Sequence, residues 1–296
     1  MHLDFERELS ENTVREIHVG QGGAQVYVLT GERIAKQIRR DQMPDEQRFL
    51  SYLREAQFYQ ETADAGLGFL PEVLHCRITS DEIELILRQY QTIPVQTLQA
   101  ISPDRIMETL AAIHQMPCPS CVPRIERTPV QFTEAELSEA LSGWQSILEE
   151  HPGVFSGHVL RELAESINKQ NAAHFSGRMV CCHGDFHLDN LLTDRDGRII
   201  VCDWQAVSWG HPAGDLSFFL SRLSDTGYAV DPDAWIAAYC RHADGDLSEQ
   251  EIREQMALAN WNTTFRFWHY FLHGAEEARV KGIYEKMLAD YSLLQV

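Results

Sequence analysis

The stretch His183-Gly184-Asp185-Phe186-His187-Leu188-Asp189-Asn190, followed by Val201-Cys202-Asp203-Trp204, sets out a carboxylate, an amide five residues later, and a second carboxylate thirteen residues beyond that. Phosphoryl transfer from ATP needs this set. One carboxylate orients the accepting hydroxyl, and an amide oxygen with a second carboxylate holds Mg²⁺ on the phosphates. The segment between them, Leu191 to Ile200, reads as strand, turn, strand, with Asp196-Gly197 as a two-residue hairpin signal. A hairpin returns the chain to its start, so Asn190 and Asp203 are expected side by side. Asp and Asn also serve in turns and caps through local hydrogen bonds. Their spacing and order here favour the chemical reading.

The pattern His183-Gly184-Asp185-x-His187-x-x-Asn190, then a hydrophobic strand ending in Asp203-Trp204, resembles the aminoglycoside phosphotransferase and choline kinase-like family of small-molecule kinases. The resemblance continues through Gly210-His211-Pro212-Ala213-Gly214-Asp215-Leu216 and takes in Ile113-His114 upstream, so it spans roughly residues 15 to 225. It implies an α+β, bilobal, protein kinase-like fold. Residues 1–90 would form an antiparallel-sheet nucleotide lobe with its hinge, and 91–296 a mainly helical catalytic and acceptor lobe. It also implies ATP and Mg²⁺, with Asp185 as the catalytic carboxylate and Asn190 and Asp203 as metal ligands. His183 would pack beneath the catalytic loop, Asp215 would brace it, and His187 would be structural.

The N-terminal elements must bring a nucleotide to these residues. Arg15 to Gly20, Gln25 to Thr30 and Arg33 to Ile38 read as short strands, with Gly20-Gln21-Gly22-Gly23-Ala24 between the first two. Glycines there let the backbone close over phosphates, and by resemblance Gly22 and Gly23 cover ATP. Lys36, on the third strand, is the one lysine among the first 168 residues of a chain with four lysines and twenty-one arginines. Kinase-like folds place there the lysine that grips the α- and β-phosphates; a solvated edge lysine is the plain alternative. A helix is expected from about Pro44 to Ala65, stopped by Gly66, with Phe49, Leu53 and Ala56 as its buried stripe. Three of its glutamates could pair with Lys36, and the family pattern selects Glu55 over Glu46 and Glu61. Glu84 to Leu87 forms a strand leading into Arg88-Gln89-Tyr90. By resemblance this is the hinge, whose Arg88 carbonyl and Tyr90 amide would bond adenine.

After the hinge the chain reads as helical. Ser102-Pro103 opens a helix with Ile106, Leu110 and Ile113 at helical spacing, and Thr133-x-x-Glu136 and Ser248-x-x-Glu251 are capping-box signatures. Trp261, Phe265 and Trp268 share one face of a later helix and read as core. Protein kinases carry His-Arg-Asp, Asp-Phe-Gly and an activation segment. Here Gly184 stands for the arginine, Trp204-Gln205 follows the metal aspartate, and eleven residues separate Asp203 from Asp215. That leaves no length for a regulatory loop. A catalytically silent nucleotide-binding protein on the same fold is the second hypothesis. Pseudokinases usually lose a metal or base residue, and this chain keeps them all.

The 296 residues suffice for two lobes, and no apolar run approaches the ~18 to 20 residues of a membrane span. The acidic start, Met1 to Glu8, is unlike a signal peptide, so a cytoplasmic location with no membrane partner is expected. Seven cysteines, an odd number, argue against a disulfide framework, and Cys118-Pro119-Ser120-Cys121 lacks a second ligand pair for zinc. The net charge of −19 disfavours nucleic acid and suits a cationic partner. It is spread evenly, with −6 over residues 1–90 and −13 over the rest. Taken with this charge, the resemblance implies a small cationic hydroxyl compound such as an aminoglycoside as the expected acceptor. Choline, ethanolamine, homoserine and sugars are the alternatives. Asp189, Asp225 and Glu251 are candidate partners for its ammonium. Specificity is expected from the helices between about 129 and 174 and from 224 to 260. Residues 291–296 lack the carboxylates with which some antibiotic kinases hold an amino sugar.

Overall fold

The computed structural model describes residues 4–17, 23–94, 102–126, 128–154, 156–245 and 247–295. Two compact units emerge, Met1–Arg124 with Met179–Gly245, and Ile125–Arg178 with Asp246–Val296.

The first unit opens with helix α1 (Phe5–Asn12) and a five-stranded antiparallel sheet. Its strands are β1 (Thr13–Ile17), β2 (Gln25–Leu29), β3 (Arg33–Arg39), β4 (Val73–Ile78) and β5 (Glu82–Arg88), in the order β1-β2-β3-β5-β4. Lys36 faces Val26 on one side and Leu85 on the other, so it lies on the central strand and not at an edge. Helix α2 (Glu46–Thr62) crosses between β3 and β4. It starts later than Pro44 suggests, because the Asp45 side chain accepts from the Arg48 amide at 2.8 Å and sets the first turn. Phe49, Tyr52, Ala56 and Tyr59 form its buried stripe, and Leu53 is only half-buried. Gly66 adopts φ 64° beyond its end.

The same unit holds β6 (Gln91–Thr92), α3 (Pro103–Gln115), β7 (Val180–Cys182), β8 (Leu191–Thr193), β9 (Ile199–Val201), β10 (Ser208–Gly210), α6 (Ala213–Asp225) and α7 (Pro232–His242). Strands β8 and β9 pair with Leu191 opposite Val201, as a hairpin between Asn190 and Asp203 requires. Its turn differs from the two-residue loop expected. The Asp194 carboxylate accepts from the Asp196 and Arg198 amides at 2.9 and 2.8 Å, and Gly197, at φ 77°, completes a three-residue loop. The side chain of Asp194 outweighs the local Asp-Gly preference by satisfying two turn amides at once.

The second unit is helical: α4 (Glu134–Glu150), α5 (Gly157–Ala173), α8 (Glu249–Phe267), the short α9 (His269–Leu272) and α10 (Glu277–Leu293). Both halves of the Thr133/Glu136 capping box form. At α8, Ser248 caps the Glu251 amide, but the Glu251 carboxylate takes the Ser176 hydroxyl at 2.8 Å. Trp261 and Phe265 are fully buried in the core of this unit with Trp144, Ile167 and Met287, and Trp268 packs on it half-buried. Among the described residues no helix is long and apolar enough to cross a membrane, and all seven cysteines are free thiols.

Asp290, on α10, is half-buried, and its Oδ2 is enclosed with no hydrogen-bond partner among the described residues. Burial pushes its carboxyl up to about 7, with Lys286 opposing. The folded state therefore binds this proton more tightly than the unfolded chain. Its stabilising effect is complete below the unfolded value of about 4 and is lost as pH rises through 7. Asp290→Asn should accordingly stabilise the protein at pH 8 by about 1–2 kcal/mol, a figure discounted for partial solvation. At pH 4 the gain should largely vanish. Urea unfolding at the two pH values checks this, and an equal effect at both would refute it.

Candidate active site

The geometry of the 183–190 loop starts from a buried aspartate. Asp215, in the first turn of α6, accepts the His183 amide at 2.7 Å and the Gly184 amide at 2.8 Å, one on each oxygen. His114 Nε2 lies 3.2 Å from the same carboxylate, and its Nδ1 is 2.7 Å from the Tyr239 hydroxyl. An ionised acceptor on one side assigns the proton to Nε2, leaving Nδ1 to accept from tyrosine. Burial works against the Asp215 charge, yet the donors around it, His114 first, hold its carboxyl below the ordinary range.

His183 is fully buried and links the two halves of the site. Its Nε2 donates to the Cys202 carbonyl at 3.0 Å, and its Nδ1 accepts the Asp185 amide at 3.2 Å. Burial holds it neutral by lowering its pKa. The peptide after it approaches the Asp203 turn closely: a Cβ on Gly184 would sit under 3.0 Å from the Ala206 carbonyl. Gly184 also has φ 81°, so glycine is required twice over. In protein kinases this position is an arginine. Here the close approach joins the loop to the 203–206 turn.

Asn190 donates through Nδ2 to the Asp185 backbone carbonyl at 2.9 Å and carboxylate at 3.2 Å. His187 Nε2 stands 3.5 Å from the Asp185 carboxylate and 3.2 Å from Asn190 Nδ2. His187 is the main reason the Asp185 carboxyl is held below its ordinary range. Across the hairpin the Cys202 amide donates to the Asn190 carbonyl at 3.0 Å, which sets Asp203 beside Asn190. Asp203 takes the left-handed conformation, φ 67°, ψ 61°, costly for a non-glycine residue and frequent at functional turns. Its Oδ1 accepts from Gln205 Nε2 at 2.5 Å and lies 3.5 Å from Lys36 Nζ.

Lys36 Nζ is 2.9 and 3.3 Å from the two oxygens of Glu55, whose side chain is wholly buried. Desolvation alone would pull the lysine pKa down, but Glu55 and Asp203 outweigh it and keep the ammonium charged. The other two glutamates of α2 are engaged elsewhere. Glu46 pairs with Arg40 at 2.6 Å, and Glu61 accepts the Ser120 amide and hydroxyl and the Cys121 amide at 2.5–3.0 Å. The Cys118–Cys121 segment is thus a loop tied to α2. The helix is fixed near its C-terminal end by Phe58, stacked on Trp204 at 4.2 Å beside Asp203.

A cavity of about 730 Å³ unites these groups. Lys36, Asp185, Asn190 and Asp203 line it together with Asp189, and Val26, Ile34, Leu87 and Leu192 add apolar lining. Arg88 and Tyr90 line it as well. The Arg88 side chain turns to Glu72 at 2.5 Å, the Tyr90 hydroxyl accepts the Glu72 amide at 3.1 Å, and the intervening Gln89 amide donates to the Glu32 carbonyl at 2.8 Å. Gly22 lies outside the described residues. Gly23 has φ 80° and packs toward Met43, while its neighbour Ala24 lines the cavity. Arg48, Ser51, Tyr52 and Gln205 also line it. No motif flags these residues. The signal available for the first three was their helical spacing with Glu55.

An amide oxygen and a carboxylate side by side are hard donors that suit Mg²⁺. With its Nδ2 engaged, Asn190 keeps Oδ1 without a hydrogen bond among the described residues, so the donor set fits the ion.

Comparison with the curated proteins finds no match. Among solved structures, choline kinase LicA from Streptococcus pneumoniae is similar over 98% of this chain and 96% of its own, with TM-score 0.56 and 14% identity. ADP-bound aminoglycoside phosphotransferase APH(2'')-Ib is similar over 98% of both chains, with TM-score 0.57 and 15% identity. The streptomycin–ATP complex of APH(2'')-IIa covers 99% of both, with TM-score 0.55 and 15% identity. These likenesses show the protein kinase-like fold. The family model described as phosphotransferase enzyme family, APH, matches residues 13–257, most of the chain and every group described above. The chain therefore belongs to the APH phosphotransferase enzyme family, whose members phosphorylate hydroxyl groups of small molecules.

Proposed function

We propose that this protein transfers the γ-phosphoryl group of ATP, with Mg²⁺, to a hydroxyl of a small cationic molecule. An aminoglycoside-like antibiotic is the leading class, and a metabolic acceptor (choline, ethanolamine, homoserine or a sugar) is the alternative. The observation that carries the reading is one cavity lined by Lys36, Asp185, Asn190 and Asp203. Residues 1–90 would serve the nucleotide and residues 91–296 catalysis and the acceptor.

In this reading Asn190 and Asp203 hold Mg²⁺, which when bound neutralises charge on the phosphates. Lys36, fixed by Glu55, binds the α- and β-phosphate oxygens. Gly22 and Gly23 lend backbone amides to the phosphates, and the Arg88 carbonyl and Tyr90 amide hold adenine. Asp185, ionised at neutral pH, orients the acceptor hydroxyl and takes its proton late, as the phosphoryl group arrives.

The cationic acceptor is supported by the net charge of −19 and by Asp189, which lines the cavity near Asp185. The other two candidates are less apt. Asp225 pairs with Arg222 at 3.6 Å, and Glu251 holds the Ser176 hydroxyl. The test is ADP release across aminoglycosides, choline, ethanolamine, homoserine and neutral sugars at two ionic strengths. Cationic acceptors should turn over, with KM rising as salt screens the attraction. Turnover of only neutral or anionic acceptors, insensitive to salt, would refute the cationic reading alone. No ADP from any acceptor would favour the silent nucleotide-binding alternative.

A further inference from the structure

Arginines in this acidic protein commonly carry a carboxylate partner. Arg7, Arg33, Arg39, Arg40, Arg77 and Arg88 on the N-terminal elements all do. Arg48 is different. Its backbone amide is capped by Asp45 and its carbonyl accepts the Ser51 hydroxyl, but its guanidinium makes no hydrogen bond or ion pair among the described residues. Residues 18–22, the glycine loop, contain no carboxylate that could supply one. Yet Arg48 lines the same cavity as Lys36, Asp185 and Asp203.

Its placement on α2 is specific. Arg48, Ser51, Tyr52 and Glu55 recur at helical spacing and form one stripe. The first three line the cavity, and the fourth fixes Lys36. Glu55 binds Lys36, which lies 3.5 Å from Asp203, so the stripe runs from Arg48 toward the proposed metal ligand. A guanidinium with five donors and no carboxylate partner among the described residues, lining the same cavity as Lys36, is suited to phosphate oxygens.

We infer that Arg48 is a second cationic ligand of the nucleotide and contacts its terminal phosphoryl group, beyond the reach assigned to Lys36. The inference rests on the nucleotide reading of the cavity. Lys36 serves the inner phosphates and Arg48 the group being transferred, so Arg48 distinguishes ATP from ADP. Its free guanidinium requires no folding partner, and the helix keeps its cap when the side chain is shortened.

The test is equilibrium binding of ATP, ADP and adenosine with Mg²⁺ to the full chain, using Arg48→Met, Arg48→Lys and, as a charge control, Arg7→Met on α1. Arg48→Met should weaken ATP about tenfold or more while ADP and adenosine stay within about twofold. Arg48→Lys should fall between, and Arg7→Met should match wild type. ATP affinity within twofold of wild type in Arg48→Met would overturn the inference. So would equal weakening of all three ligands, the mark of a displaced helix. A wild-type protein that binds no ATP would instead overturn the nucleotide reading itself.

Discussion

Asp185→Asn should lower turnover by about 10³-fold and leave nucleotide affinity unchanged. The substitution keeps the shape of the side chain, and its amide oxygen can still accept from Asn190 Nδ2, now 3.2 Å from Asp185 Oδ2. Only the charge that orients the acceptor and takes its proton is removed. Asp203→Ala should behave differently, weakening Mg²⁺-dependent nucleotide binding as well as turnover, because it removes a proposed metal ligand and the carboxylate beside Lys36. Since His187 holds the Asp185 carboxyl low, acidification should not slow transfer until the pH falls below the ordinary carboxylate value of about 4. ADP release with a verified acceptor, combined with equilibrium nucleotide binding, separates the two variants. Wild-type turnover in either one would defeat the assignment.

Gly184→Ala should be nearly as damaging, although it removes no functional group. The new methyl would lie under 3.0 Å from the Ala206 carbonyl, a backbone group that cannot swing away as a side-chain tip can. The catalytic loop or the Asp203 turn must then move, and a misplacement of about 1 Å can cost about 10² in rate. Gly197→Ala is the control. Gly197 has nearly the same positive φ, 77° against 81°, but open space around it. It should lose about 1–2 kcal/mol of stability from backbone strain and keep its turnover. Thermal unfolding with kcat for both variants tests this. Equal kcat in the two would show that the Gly184–Ala206 approach is unimportant to catalysis.

Legibility in the sequence followed the range of the interaction. Where a residue's partner was a few positions away, the prediction could be close. The Ser102 and Thr133 caps, the strand around Lys36 and the hairpin joining Asn190 to Asp203 are all local, and their periodicities survive folding. Boundaries shifted where one side chain competed with a general preference. Asp45 overrode Pro44 at the start of α2, and Asp194 overrode Asp196-Gly197 in the hairpin turn. The choice among the α2 glutamates was of another kind. Glu46, Glu55 and Glu61 look alike in sequence, and helix geometry alone does not choose between them. Glu55 is singled out by its burial, and the others by partners on distant segments, Arg40 and the Ser120-Cys121 amides.

The sequence by itself determined which chemical groups are present and in what order, because the motif from His183 to Asp203 is read along the chain. It also determined the strand and helix types, which follow from local periodicity. Only the tertiary structure decided how those groups meet. Asp215 reaches back 31 and 32 residues to the amides of Gly184 and His183, and His114 comes from 101 residues away to the same carboxylate. Gly184 has to be glycine because of a carbonyl in another turn, and among the described residues no carboxylate folds against the Arg48 guanidinium. Such facts depend on the distance between chain segments remote in sequence, and packing fixes that distance.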